Sequence, residues 1–107
     1  MNAAWTCLVI AGLFEIGWPV GLKLAQAPGR LIPGVALAVG CMALSGWFLW
    51  MAQKGIPMGT AYAVWTGIGA AGTFVVGIAA YGDAVGVARL AGVGLIIAGV
   101  ATLKLAH

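Results

Sequence analysis

The chain has 107 residues, of which 64% are hydrophobic and 7% charged, with a formal net charge of +3. Soluble domains carry roughly 25% charged residues, and a water-soluble fold this poor in charge would expose large apolar patches and aggregate. Composition therefore excludes an ordinary soluble domain and makes lipid the solvent.

A helix that spans the hydrocarbon core needs about 20 apolar residues. Four stretches have that length, at about 3–22, 31–52, 58–80 and 86–105. The polar breaks between them are short: Lys23 to Arg30, Gln53 to Pro57 and Gly82 to Ala84. Membrane-spanning strands would alternate apolar and polar residues over about ten positions, whereas these runs are apolar throughout. The expected fold is an all-α membrane protein, with residues 1–107 forming a single domain of four transmembrane helices.

The first span opens on Met1-Asn2-Ala3-Ala4-Trp5, which lacks a basic side chain, and its apolar run is too long for a secretory signal. It reads as a retained helix. Its one acidic residue is Glu15, with no basic residue until Lys23. A charged acid at the centre of a membrane helix costs about 2.5–3.5 kcal/mol on insertion scales, so such residues default to function. The plainer alternative is a protonated glutamate hydrogen-bonded to a neighbouring helix. Desolvation disfavours a carboxylate anion, so protonation is expected to compete with cation binding near neutral pH. Trp18 shares the face of Glu15 by its i+3 spacing. Pro19 lacks the N–H that would have bonded the Glu15 carbonyl, and Gly12 opens space on the same side. Cys7 in this span and Cys41 in the second have no CxxC partner and read as small packing residues.

The third span carries Gly59-Thr60-Ala61-Tyr62-Ala63-Val64-Trp65-Thr66-Gly67-Ile68-Gly69. Tyr62, Trp65, Thr66 and Gly69 fall on one helical face. A lone tryptophan near a helix end can be an interfacial anchor, but Tyr62 and Trp65 together suggest a hydroxyl and a π surface directed inward. A carboxylate in an aromatic box is a cation site. Gly67, Gly69, Gly72 and Gly77 make this helix easy to bend, or else close-packed. In the fourth span Gly92 and Gly99 share a face, with the small-xxx-small pair Gly94 and Ala98 beside it. Spacing leaves two readings open, packing within one chain and a dimer seam.

An alternating topology puts Lys54 and Lys104 on one side and Lys23, Arg30 and Arg89 on the other. Two against three is a weak bias under the positive-inside rule, so both orientations and an antiparallel dimer are expected. Asp83 and Arg89 are expected to pair at the surface, a contact worth little.

These residues resemble the small multidrug resistance family over essentially the whole chain, and its guanidinium-exporter subtype most of all. The resemblance is carried by Gly12-Leu13-Phe14-Glu15, by Trp18-Pro19-Val20-Gly21-Leu22-Lys23, and by the long run from Pro57 to Gly69. Trp18 favours the guanidinium subtype over the one exporting bulky aromatic cations. The resemblance implies an antiparallel, dual-topology homodimer in the cell inner (plasma) membrane, exchanging protons for small organic cations through paired glutamates. By motif position Glu15 is the essential acid, Trp18 and Trp65 are aromatic walls, and Tyr62 is the hydroxyl that holds the acid. Ser45 is the nearest match to a second-span serine that touches the acid. Gly92 and Gly99 match the dimer seam. The chain departs from the family in its first loop, Gln26 to Arg30, which lacks an aromatic often found there, and at Asp83, where a glutamate is usual.

The chemistry fits guanidinium independently, because a planar ion with parallel N–H donors matches a carboxylate in a two-point bond and stacks on aromatic faces. A small quaternary ammonium would also fit, so a broader cation exporter is the near alternative, and one subunit of a heterodimeric pair is another. A proton-carrying ring subunit would need about two spans rather than four. No nucleophile–base pair or metal cluster marks an enzyme, and the sole histidine, His107, is terminal. No cofactor, metal or nucleic-acid partner is expected.

Overall fold

The structure, a computed structural model, describes residues 2–106, so the terminal His107 lies outside the described residues. Four helices follow in order: α1 (Ala3–Ala25), α2 (Leu31–Ala52), α3 (Met58–Tyr81) and α4 (Val87–Ala106). Each is long and apolar enough to cross a membrane; at 1.5 Å per residue the shortest is about 30 Å long. The chain is a multi-pass, all-helical membrane protein, as its composition requires.

The helix ends follow local chemistry. The Asn2 side chain accepts the Trp5 N–H at 3.0 Å, which satisfies one of the unpaired donors of the first turn. α1 runs to Ala25, three residues past the apolar stretch, and so takes in Lys23. A lysine in the last turn complements the helix dipole, and its long stem lets the charge reach the headgroup level. Its ammonium lies 5.9 Å from the centre of the Tyr81 ring. At the other end of the bundle, Lys54 lies 4.3 Å from the Trp50 ring and Lys104 4.9 Å from the Trp5 ring. Cations seated on aromatic rings thus mark both water–lipid boundaries. At the end of α3, Gly82 takes a left-handed conformation (φ 67°), and the Asp83 N–H reaches back to the Gly77 carbonyl at 3.1 Å. This is a glycine-hooked helix end.

The molecule measures 45 × 34 × 19 Å, a slab about two helix diameters thick. α1 lies against both α2 and α3, and α4 backs onto α3. Glycine sets the first of these contacts. A Cβ at Gly21 would fall 2.6 Å from the Ala38 backbone nitrogen and 2.8 Å from the Gly34 carbonyl oxygen. Gly17 faces Cys41, and Gly34 faces Ala25 in the same seam. Lipid offers helices no hydrophobic drive to associate, so close backbone approach and van der Waals packing take its place.

The apolar core is concentrated at the end of the bundle that carries Lys54 and Lys104. Trp5, Leu8, Ala52, Ile56, Ala61 and Val64 form one buried cluster there. The opposite end opens into cavities around Thr73 and Asp83. α4 has no buried residue, and no atom lies within 4 Å of a Cβ built at Gly92, Gly94 or Gly99. Within one chain nothing packs closely on these glycines, although Gly99 borders a cleft shared with Ala63, Thr66 and Gly67 of α3.

Candidate functional site

Glu15 projects from the middle of α1 into the α1–α3 contact. Its side chain lies over Gly69, at the point where a Cβ on α3 would collide with the Glu15 Cγ. One turn along, Ile16 fills the equivalent space at Gly72. Gly12 receives Ile68 from the other direction, with a Cβ-to-Ile68 approach of 2.7 Å. Gly67 faces Val100 of α4. The third-span glycines are thus seats for side chains, and α3 is unbroken from Met58 to Tyr81.

Trp18 donates its indole N–H to Glu15 Oε1 at 2.8 Å, so the i+3 spacing brings the two side chains together. A donor on a carboxylate makes a charge-assisted bond, stronger than a neutral one. Pro19 follows, leaving the Glu15 carbonyl without its helical N–H partner. Glu15 is half-buried rather than enclosed. It borders a groove of about 420 Å³ lined also by Pro19, Thr66, Gly69, Thr73 and Asp83. That volume lies within the range of about 300–1,000 Å³ typical of small-molecule sites.

Two expected partners of the acid stand elsewhere. Ser45 is buried and donates its hydroxyl to the Ala11 carbonyl at 2.8 Å, one turn before Glu15. It also accepts the Trp65 indole N–H at 2.7 Å. One hydroxyl therefore ties α3 to α2 to α1, and it holds Trp65 in place instead of contacting Glu15. Tyr62 is 56% exposed and packs against Trp65 with ring centres 5.3 Å apart. It makes no hydrogen bond to Glu15. The reason is geometric: Glu15 is level with Gly69, and Tyr62 lies seven residues earlier, about 10 Å along the helix axis. The inward direction expected for Tyr62 is not met within one chain.

Asp83 is the residue that sequence reasoning placed wrongly. Among the described residues it forms no ion pair with Arg89, and its carboxylate folds over Gly77 instead. The glycine hook at Gly82 turns it back toward the groove and away from the start of α4. The Gly82-Asp83 pair after an apolar run was the available signal. Among the described residues no group of three His, Cys, Asp or Glu side chains could hold a metal ion.

Fold and site together define a small multi-pass membrane protein with one carboxylate set at mid-depth beside a groove. The family model described as Small Multidrug Resistance protein matches residues 3–96, and the chain belongs to this family. A protein of Yersinia pseudotuberculosis named guanidinium exporter is 50% identical over 103 residues, covering 96% of this chain and 98% of its own. Guanidinium exporters of Escherichia coli K12 and Proteus vulgaris are 48% and 45% identical, each over 95% or more of both chains. The resemblance read from Glu15, Trp18 and the Pro57–Gly69 run holds at the level of the family. Its relatives are named exporters, which makes this chain a transport protein and not an enzyme.

Proposed function

We propose that the protein is a proton-coupled antiporter that exports guanidinium and small substituted guanidinium cations, with Glu15 exchanging its proton for substrate. The observation that carries this reading is the Glu15 carboxylate, held by Trp18 on one oxygen and bordering a groove large enough for a small organic cation. A planar cation with parallel N–H donors can bond the carboxylate and lie against the Trp18 or Trp65 ring. Proton and cation need the same oxygens, so each excludes the other. The relatives named guanidinium exporters support the choice of substrate.

Export further requires that the site face each side of the membrane in turn. The apolar cluster seals one end of the bundle while the other is open, the asymmetry expected of a one-sided state. The proposed functional unit is an antiparallel homodimer in the inner (plasma) membrane. The unpartnered Gly92 and Gly99 face of α4, the half-covered Glu15 and the exposed Tyr62 all support a second copy. On this reading the partner copy's hydroxyl reaches the acid that Tyr62 cannot reach in its own chain.

The test is transport in proteoliposomes. An inward proton gradient is expected to drive guanidinium out, and Glu15→Gln to abolish the flux; flux that survives the substitution would overturn the proposal. Side-by-side assays of guanidinium and a bulky aromatic cation measure the substrate range, which is expected to favour guanidinium. Guanidinium binding is also expected to weaken as pH falls through the titration of Glu15, since only the anion offers both acceptors. Binding that is indifferent to pH across that range removes the exchange mechanism.

A further inference from the structure

We propose that Asp83 is an outer capture site for guanidinium-type cations, placed at the membrane surface on the path to Glu15. The inference rests on the transport reading above and adds a second carboxylate that substrate touches. Asp83 borders the 420 Å³ groove that holds Glu15 and also a neighbouring cavity of about 190 Å³ at the open end of the bundle, beside Lys23 and Tyr81. Pro19, Thr73 and Asp83 form the wall common to both. The two spaces adjoin, and Asp83 stands where they meet.

The fold holds the carboxylate there. Gly82 reverses the chain in a left-handed conformation, the Asp83 N–H is fixed to the Gly77 carbonyl at 3.1 Å, and the side chain lies on the bare backbone of Gly77. Any side chain at position 77 would take that space. The location is electrostatically unfavourable for the chain alone. The C-terminal end of α3 carries the negative pole of the helix, where an anion is repelled and a cation attracted. Among the described residues no lysine or arginine forms an ion pair with Asp83; Lys23 lines the same cavity, with its ammonium 5.9 Å from the centre of the Tyr81 ring. The Asp83 carboxylate and the helix-end carbonyls are acceptors, and the Thr73 hydroxyl can accept as well, while Lys23 contributes the cavity's charged donor. The acceptors suit a weakly hydrated cation rich in N–H groups. A fixed charge at the mouth of a low-dielectric cleft also raises the local concentration of opposite charge.

The experiment compares guanidinium transport by wild type, Asp83→Asn and Asp83→Glu in proteoliposomes at two ionic strengths. At about 0.01 M, where the Debye length is about 30 Å, Asp83→Asn is expected to raise KM roughly three- to tenfold with little change in maximal rate. At about 1 M, where the length is about 3 Å, most of that gap is expected to close, and Asp83→Glu is expected to follow wild type at both. An unchanged KM at low salt overturns the proposal, and so does a rise that salt does not alter. A second measurement is independent of the role of Glu15. In a Glu15→Gln background, guanidinium chloride is expected to shift the Asp83 and Gly77 resonances saturably, and Asp83→Asn to remove the shift. No saturable shift overturns the outer site, whereas transport surviving in Glu15→Gln overturns only the inner one.

Discussion

At the residue scale, a single hydroxyl has the widest reach. Ser45 accepts from Trp65 and donates to Ala11, so its removal strands an indole N–H in an apolar setting. Leaving a buried donor unsatisfied costs about 1–3 kcal/mol, while removing both partners of a bond can be nearly neutral. Ser45→Ala is therefore expected to lower stability by about that amount in mixed-micelle unfolding. The double variant Ser45→Ala/Trp65→Phe is expected to recover much of the loss, because the Ala11 carbonyl keeps its helical bond. Equal stability of single and double variants would show that the hydroxyl serves some other contact. The place of Glu15 beside a groove was legible from sequence because an acid far from any base in a lipid-soluble run admits few readings. Trp18 was legible because i+3 spacing is local. Ser45 and Tyr62 were harder, since their contacts depend on how far α2 and α3 are shifted along α1, and nothing in a helical repeat encodes that offset.

At the scale of the helices, glycine content was visible but its division of labour was not. The same residue type forms a backbone seam at Gly21 and Gly34, seats side chains at Gly69 and Gly72, and faces open space at Gly92 and Gly99. These settings give three different substitutions. Gly21→Ala would drive a methyl group into the backbone of α2, which cannot yield like a flexible side chain, and overpacking of this kind costs about 1–3 kcal/mol. A matching loss is expected in mixed-micelle unfolding. Gly69→Ala meets the Glu15 side chain first, so it is expected to displace the acid and depress guanidinium binding while leaving the helices assembled. Gly92→Ala meets nothing in its own chain and is expected to leave monomer stability unchanged while weakening association, read as loss of energy transfer between labelled copies in lipid. Association unaffected by Gly92→Ala would remove the dimer seam from α4. The Gly17-xxx-Gly21 spacing in α1, paired with Gly34-xxx-Ala38 in α2, is the close-approach pattern of membrane helices. That spacing is present in the sequence itself.

At the scale of the whole molecule, the charges leave orientation nearly undetermined. Lys54 and Lys104 stand at the sealed end; Lys23, Arg30 and Arg89 stand at the open one. Each lysine is drawn onto a ring of its own boundary, Lys23 on Tyr81, Lys54 on Trp50 and Lys104 on Trp5. Both ends are thus equipped with similar interfacial anchors. Retention of positive charge on the cytoplasmic side depends on the difference in Lys and Arg between the two sides, and here that difference is one side chain. Cysteines introduced into the 53–57 turn are accordingly expected to be labelled from both sides of the membrane. Two further lysines placed in that turn, with Arg30 and Arg89 replaced by glutamine, give a four-to-one excess at the sealed end and should hold it cytoplasmic. Two more arginines among residues 26–30 should do the reverse. If the working unit is antiparallel, either biased variant alone loses resistance to guanidinium, and co-expression of the two restores it. Full activity from one biased variant alone would instead mean that a parallel pair or a single chain moves the cation, and the exposed face of α4 would then need a different partner.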